Sequence, residues 1–301
     1  MILVLLQVTL LVILALALLA PLESLEWWSR RHPAPSLPPP AAGQAPAAGI
    51  RRFAVYLSGI AVIDGASISR REHAMLEEVR RRVLDVVITE DVFPYAMENR
   101  GLPQRATAWL WRRLDRARRR FRWWPAPFLI NLRNIMQVLV SADPRYGGTY
   151  NFGVACVVWQ SLLNAGYDPA HPVPVTLIGY SGGAQIACGV ARFIAAQGIE
   201  VDVVSIGGVY ADDPGLDHIR SLTHLKGSRD RVQGLGTLAF PGRWVTAPLS
   251  SYGRAVRDGR IHTVGMGPVH HSGYFSRHPT LPDGRTPKEA TVEQLVEALR
   301  W

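Results

Sequence analysis

Residues 175–198, "VTLIGYSGGAQIACGVARFIAAQG", set a serine between a short apolar, β-branched run and an alanine-rich run of helical length. A chain that passes from strand to helix this abruptly must fold the helix back onto the sheet, so the stretch commits its surroundings to a helix-on-sheet architecture. Ser181 has to take a strained backbone conformation at such a turn. Side chains at Gly179 or Gly183 would collide with the neighbouring strand and helix, and glycine leaves the room. The first turn of the helix also directs unpaired N–H groups at any negative charge that develops beside the serine.

The same alternation recurs along the chain. "RRFAVYLSGIAVIDG" predicts a buried strand ending at Ser58-Gly59. "SRREHAMLEEVRRRVLDVVITEDV" predicts a helix with Met75, Leu76, Val79 and Val83 on one face, followed by a strand through Val86, Val87 and Ile88. Further strands are expected in "EVDVVSIGGVY", "SLTHLKGS" and "GRIHTVGMG". The chain ends in a helix, "TPKEATVEQLVEALRW", with Val292, Leu295, Val296 and Leu299 as its apolar stripe. Short apolar strands separated by helices indicate an α/β fold whose mostly parallel sheet is covered on both faces. One long excursion, from about 94 to 150, interrupts the pattern.

Gly179-Tyr180-Ser181-Gly182-Gly183 fits G-x-S-x-G in the strand–turn–helix context that the motif requires. Asp230 follows one predicted strand in "LTHLKGSRDRV", and His270 and His271 follow the next in "IHTVGMGPVHHSGYF". The chain order is Ser, Asp, His, with both partners in loops at the C-terminal edge of a parallel sheet, where active sites in such folds gather. Asp202, Asp212 and Asp213 are rival acids. Asp202 begins a strand, and the other two lie in "YADDPG", which reads as a turn.

On these three elements, "GYSGG", "GSRD" and "HHSGYF", the chain from Ile50 to its C-terminus resembles the α/β-hydrolase superfamily. The resemblance implies that Ser181 attacks an ester-like carbonyl, that a histidine takes its proton and passes it to the leaving group, and that Asp230 orients the imidazole. It also implies an oxyanion hole made by the backbone N–H groups of Gly182 and of Ile60, the latter in the loop "LSGIA" after an early strand. Similar hydrolases carry the histidine three residues before an aromatic pair. His271 stands so to Tyr274 and Phe275, which favours it over His270 and leaves His270 as the alternative base.

Ahead of this domain, "MILVLLQVTLLVILALALLA" is apolar for about twenty residues, long enough to cross a bilayer core. No Lys or Arg precedes it and Pro21 fits a cleavage site badly, so residues 1–22 are expected to be a transmembrane anchor rather than a cleaved signal. Arg30, Arg31, Arg51 and Arg52 all follow the run, which places the remainder in the cytoplasm. A cleaved signal would instead export it. Residues 23–49, rich in Pro and Ala, form an extended linker, and the hydrolase domain is expected over 50–301.

The net charge of +9 is almost all arginine, Lys226 and Lys288 being the only lysines. Beside an anchor, anionic lipid is the partner such a charge suits. Within the excursion, "RATAWLWRRLDRARRRFRWWPAPFL" interleaves Trp109, Trp111, Phe121, Trp123 and Trp124 with arginines. This is either a core-facing helix with a solvated basic side or an interfacial element with tryptophans at headgroup depth. No nucleic-acid module surrounds it, and no nucleic-acid partner is expected. Asn131, Arg133, Asn134, Asp143 and Arg145 either line the pocket or tie the excursion down through buried hydrogen bonds.

Cofactor chemistry finds no support in the sequence. His262, His270, His271 and His278 lack a second ligand set at zinc spacing, and neither a phosphate-binding loop nor a dinucleotide fingerprint occurs. Cys156 and Cys188 lie in apolar helical runs as free thiols. The expectation is a membrane-tethered serine hydrolase, esterase- or lipase-like, acting on a carboxylic ester, lipid esters included, without metal or cofactor. Acyl transfer, thioester or peptide cleavage by the same residues, or a non-catalytic membrane-associated binding protein on the same fold, are the alternatives.

Overall fold

The computed structural model describes residues 49–60, 68–95, 98–99, 102–103 and 126–300, with isolated positions elsewhere. The expected anchor, the linker and the tryptophan- and arginine-rich stretch 105–125 fall, isolated positions apart, outside the described residues. Among the described residues no helix is long and apolar enough to cross a membrane.

Six strands form one sheet: β1 (Arg52–Leu57), β2 (Val86–Thr89), β3 (Val175–Tyr180), β4 (Val201–Ile206), β5 (Ser221–Lys226) and β6 (Ile261–Gly265). Their order is β2-β1-β3-β4-β5-β6, and every pairing is parallel. The β1–β3 register sets Leu57 against Gly179, and β3–β4 sets Tyr180 against Ile206, so the strands end together at the edge where Ser181 emerges.

Among the described residues seven α-helices accompany the sheet: α1 (Arg70–Arg82), α2 (Ala126–Ala142), α3 (Gly147–Asn164), α4 (Gly183–Ala195), α5 (Gly234–Ala239), α6 (Ser251–Arg257) and α7 (Pro287–Arg300). The period-2 alternation of β1 separates two cores. Phe53, Val55 and Leu57 pack with Trp159, Leu162, Ile186 and Val190 of α3 and α4. Ala54 and Tyr56 pack with Met75, Leu76 and Val79 of α1 and with Val292, Leu295 and Leu299 of α7. The predicted apolar stripes of α1 and α7 are these buried faces. Each of the two helices opens on a capping box, Ser69 with Glu72 and Thr286 with Glu289, which satisfies N–H groups that the first turn leaves free.

At the opposite end of the sheet from Ser181, Asp202 is 3% exposed and accepts from Arg52, Arg220 and Ser221. Burial raises its pKa, but these bonds outweigh burial and hold the carboxyl below its usual value. Asp213 is buried too, caps the short helical turn at 214–217 and accepts from Gln185. None of Asp202, Asp212 and Asp213 bonds to His271, whose Nδ1 faces Asp230. Cys188 is buried and Cys156 half-buried, both as free thiols, and burial pushes Cys156 up to about 11.

His224 of β5 lies inside, its Nδ1 3.0 Å from Ser205 Oγ, and burial lowers its pKa from 6.5 to about 4. The unfolded chain takes up this proton near 6.5 while the folded one resists it until about 4. Stability is therefore complete above about 6.5 and declines as the pH falls toward 4, by on the order of 3 kcal/mol. Urea midpoints measured across that interval are expected to fall on acidification, and to fall less in His224→Asn.

Candidate functional site

The serine turn is built by close approach. Ser181 has φ 54°, the one positive φ among the described non-glycine residues. Its N–H donates to Ile206 O and its carbonyl accepts from Val209 N, so β4 and the loop that follows it hold the turn from both sides. A Cβ on Gly179 would lie 2.5 Å from the Ala184 backbone of α4, and one on Gly183 would lie 2.3 Å from Leu57 O of β1. Both flanking glycines are thus required by backbone atoms that have no freedom to move, as the motif predicts.

Ser181 Oγ is 2.8 Å from His271 Nε2, and His271 Nδ1 lies 3.1 and 3.0 Å from the two oxygens of Asp230. The imidazole therefore bridges serine and carboxylate. Of the two adjacent histidines, the turn after β6 delivers His271 to the serine and leaves His270 exposed. Asp230's side chain is fully buried beside a His271 side chain that keeps 23% of its exposure.

Both Asp230 oxygens also accept from fixed donors. Tyr274 Oη donates to Oδ2 at 3.0 Å, while Val232 N and Gln233 N donate to Oδ1 at 3.0 and 3.3 Å. Burial acts to raise the Asp230 pKa, but the bonds from His271, Gln233 and Tyr274 and the attraction of the imidazole outweigh it and keep the carboxyl below its usual value. Tyr274 is itself placed by Gly227 N, which donates to Oη at 2.9 Å, and by Thr291 Oγ1, which donates to its carbonyl.

Three supporting residues were not singled out for a role by the sequence reading. Tyr180, the variable residue inside G-x-S-x-G, stacks on the His271 ring at 5.6 Å and donates to His271 O at 2.9 Å. Gln233 donates to Gly227 O and closes the turn that carries Asp230. Tyr95 is fully buried, its hydroxyl has no hydrogen-bond partner among the described residues, and a Cβ on Gly182 would lie 3.0 Å from that oxygen. Tyr95 falls in "FPYAM", where no spacing rule connects it with residue 182.

The NLRN residues tie the excursion down. Arg133, 1% exposed, donates to Tyr95 O at 3.1 Å and to Asn134 Oδ1 at 2.7 Å, and Asn134 Nδ2 donates to Ile60 O. Helix α2 thereby clamps together the two segments that flank Gly182, one bearing Ile60 and the other Tyr95. Asp143 and Arg145 instead form an ion pair of their own in the turn between α2 and α3, where the bonds from Arg145 lower Asp143 to about 2. The N–H groups of Gly182 and Ile60 meet no acceptor among the described residues.

No family model matches the chain. No curated protein matches it either. Solved structures do match. Carboxyl esterase 2 from the mycorrhizal fungus Tuber melanosporum is 12% identical, over 85% of this chain and 80% of that one, with a TM-score of 0.47. Esterase PE8 is 15% identical over 88% and 97%, with a TM-score of 0.44. A dienelactone hydrolase from Anabaena variabilis is 16% identical over 84% and 87%, with a TM-score of 0.40. The six parallel strands of this chain, its strained serine turn and the Ser181–His271–Asp230 contacts are the features that the resemblance of the sequence predicts.

Proposed function

We propose that the protein is a membrane-tethered serine hydrolase that cleaves a carboxylic ester through an acyl-enzyme. The observation that carries this reading is the continuous contact from Ser181 Oγ through the His271 ring to a buried, ionised Asp230. In this reading Ser181 Oγ attacks the carbonyl carbon as its proton passes to His271 Nε2. The oxyanion is met by the N–H groups of Gly182 and Ile60. His271 then gives its proton to the departing alkoxide, and the sequence repeats with water to release the acid and restore the serine. Asp230 fixes the Nδ1–H tautomer and balances the imidazolium charge. The same acyl-enzyme would serve acyl transfer if an alcohol entered in place of water, since the serine's chemistry does not decide the acceptor. The tether rests on the apolar run at residues 1–22.

The buried Tyr95 hydroxyl adds a donor on the Gly182 side. Burial drives its pKa well above the ordinary tyrosine value, so it keeps its proton to donate. Tyr95→Phe is expected to lower kcat by on the order of 10² with KM little changed. An unchanged kcat would assign Tyr95 to packing alone.

Labelling with a fluorophosphonate, followed by mass spectrometry of the modified peptide, tests the reading as a whole. The adduct is expected on Ser181. A folded sample that takes up no label and hydrolyses no soluble p-nitrophenyl ester would overturn the proposal in favour of a non-catalytic binding protein.

A further inference from the structure

The connection from β5 to β6 leaves the Asp230 turn and carries an unusual amount of uncovered apolar surface. Leu238 is 74% exposed, Val245 99% and Leu249 73%, with Leu235 and Trp244 about half exposed. The element is nonetheless folded. Trp244 Nε1 donates to Thr237 O, binding the 240–250 loop to α5, and Ser250 Oγ donates to Gly242 O. Gly236 marks the inward face of α5, where a Cβ would lie 2.7 Å from Arg243 and 3.1 Å from Tyr210 O. The leucines on either side of it in sequence, Leu235 and Leu238, remain uncovered. Large apolar side chains grouped in this way on a surface mark an interaction site.

Charge says which partner fits. Residues 228–257 contain five arginines and one carboxylate, Asp230, and that carboxylate is turned inward onto His271. Arg243 is consumed within the fold, stacked over Tyr210 and Tyr252, and Arg254 pairs with Asp217. Arg229, Arg231 and Arg257 are exposed with no carboxylate partner among the described residues, and Asp212 at the margin is half-buried against Gly242. Exposed apolar side chains with a tryptophan, in one segment with exposed guanidinium groups that no carboxylate neutralises, match a bilayer surface of anionic lipid: the apolar groups enter the acyl boundary while the arginines meet phosphates.

We propose that the α5–α6 surface is a docking face for anionic lipid bilayers, which brings the Ser181–His271–Asp230 site against esters carried in the membrane. The proposal builds on the ester-hydrolase reading by naming where the substrate resides. Val232 and Gln233, which hold Asp230, lead directly into α5, so contact at this face is continuous with the site.

The test uses the full-length protein reconstituted in vesicles, with Val245→Cys carrying an environment-sensitive NBD group. In equal parts phosphatidylcholine and phosphatidylglycerol the probe is expected to brighten and shift to the blue relative to phosphatidylcholine alone. In a second arm, Leu238→Glu with Leu249→Glu is expected to reduce hydrolysis of an ester carried in the mixed vesicles by about tenfold or more, with soluble-ester hydrolysis within about twofold of the parent. A probe in water in both vesicle types overturns the proposal. So does a probe equally shielded in both, which would mean that another segment of this chain, a second copy or uncharged lipid covers the face. The probe arm needs no turnover: a phosphatidylglycerol-dependent shift without soluble-ester hydrolysis would overturn the hydrolase reading and leave the docking face standing.

Discussion

In His271→Ala, hydrolysis of a soluble p-nitrophenyl ester is expected to fall by a factor on the order of 10⁴ or more, and in His270→Ala to stay within about twofold. The two residues are adjacent and chemically identical, so the contrast isolates position. His271 Nε2 is 2.8 Å from Ser181 Oγ, and no other base stands at that oxygen among the described residues. Without it the serine must give up its proton to water, and 10⁴ corresponds to about 5.5 kcal/mol of transition-state stabilisation. His270 is exposed, and its loss leaves the Ser181 contact untouched. Ser181→Ala is expected to match His271→Ala, because residues that act as one unit are not additive. Neither change should harm the fold. Alanine at φ 54° is no more strained than serine, and the His271 side chain is already partly in solvent. Activity lost in His270→Ala and retained in His271→Ala would reverse the assignment.

That contrast marks the limit of what the chain states on its surface. Ser181, Asp230 and the histidine pair could be read from order and spacing, because each follows an apolar run, and parallel strands bring their C-terminal ends together. Which histidine faces inward depends on how the 265–270 turn twists after β6, and periodicity carries no information about a single turn. The aromatic pair downstream supplied the clue, and the structure shows what it does: Tyr274 donates to Asp230 Oδ2, and both Tyr274 and Phe275, in the loop that carries His271, pack with residues of α7.

Contacts across long separations were the least legible. Arg133 and Asn134 had two readings, as pocket lining or as ties, because a buried polar residue looks the same in sequence whether its partner is substrate or backbone. The bonds to Tyr95 O and Ile60 O, 38 and 74 residues away, decide for ties. The exposed leucines of α5 were equally hidden. "GLGTLAF" reads as an ordinary short apolar segment, and only its lack of a cover distinguishes it.

Asp230→Asn is expected to reduce kcat by on the order of 10³ to 10⁴ while the protein remains folded. The magnitude follows from where the new amide group must go. At Oδ1 the NH₂ would confront the N–H groups of Val232 and Gln233, two donors that belong to the backbone and cannot turn away. At Oδ2 it confronts Tyr274 Oη, a hydroxyl that can rotate and accept. The amide nitrogen therefore takes the Oδ2 position, 3.0 Å from His271 Nδ1, and donates to it. A ring nitrogen that accepts there carries no proton, so the neutral imidazole holds its proton on Nε2, the atom facing Ser181 Oγ, unless Nδ1–H donates instead to the amide oxygen at the Oδ1 position, 3.1 Å away. A protonated Nε2 cannot receive the serine's proton, and the nucleophile is silenced with every heavy atom near its original place. Nitrogen-15 spectra of the imidazole should show the change of tautomer directly, separating this cause from a collapsed site. Retention of kcat within about tenfold, with the Nδ1–H tautomer intact, would remove Asp230 from the mechanism.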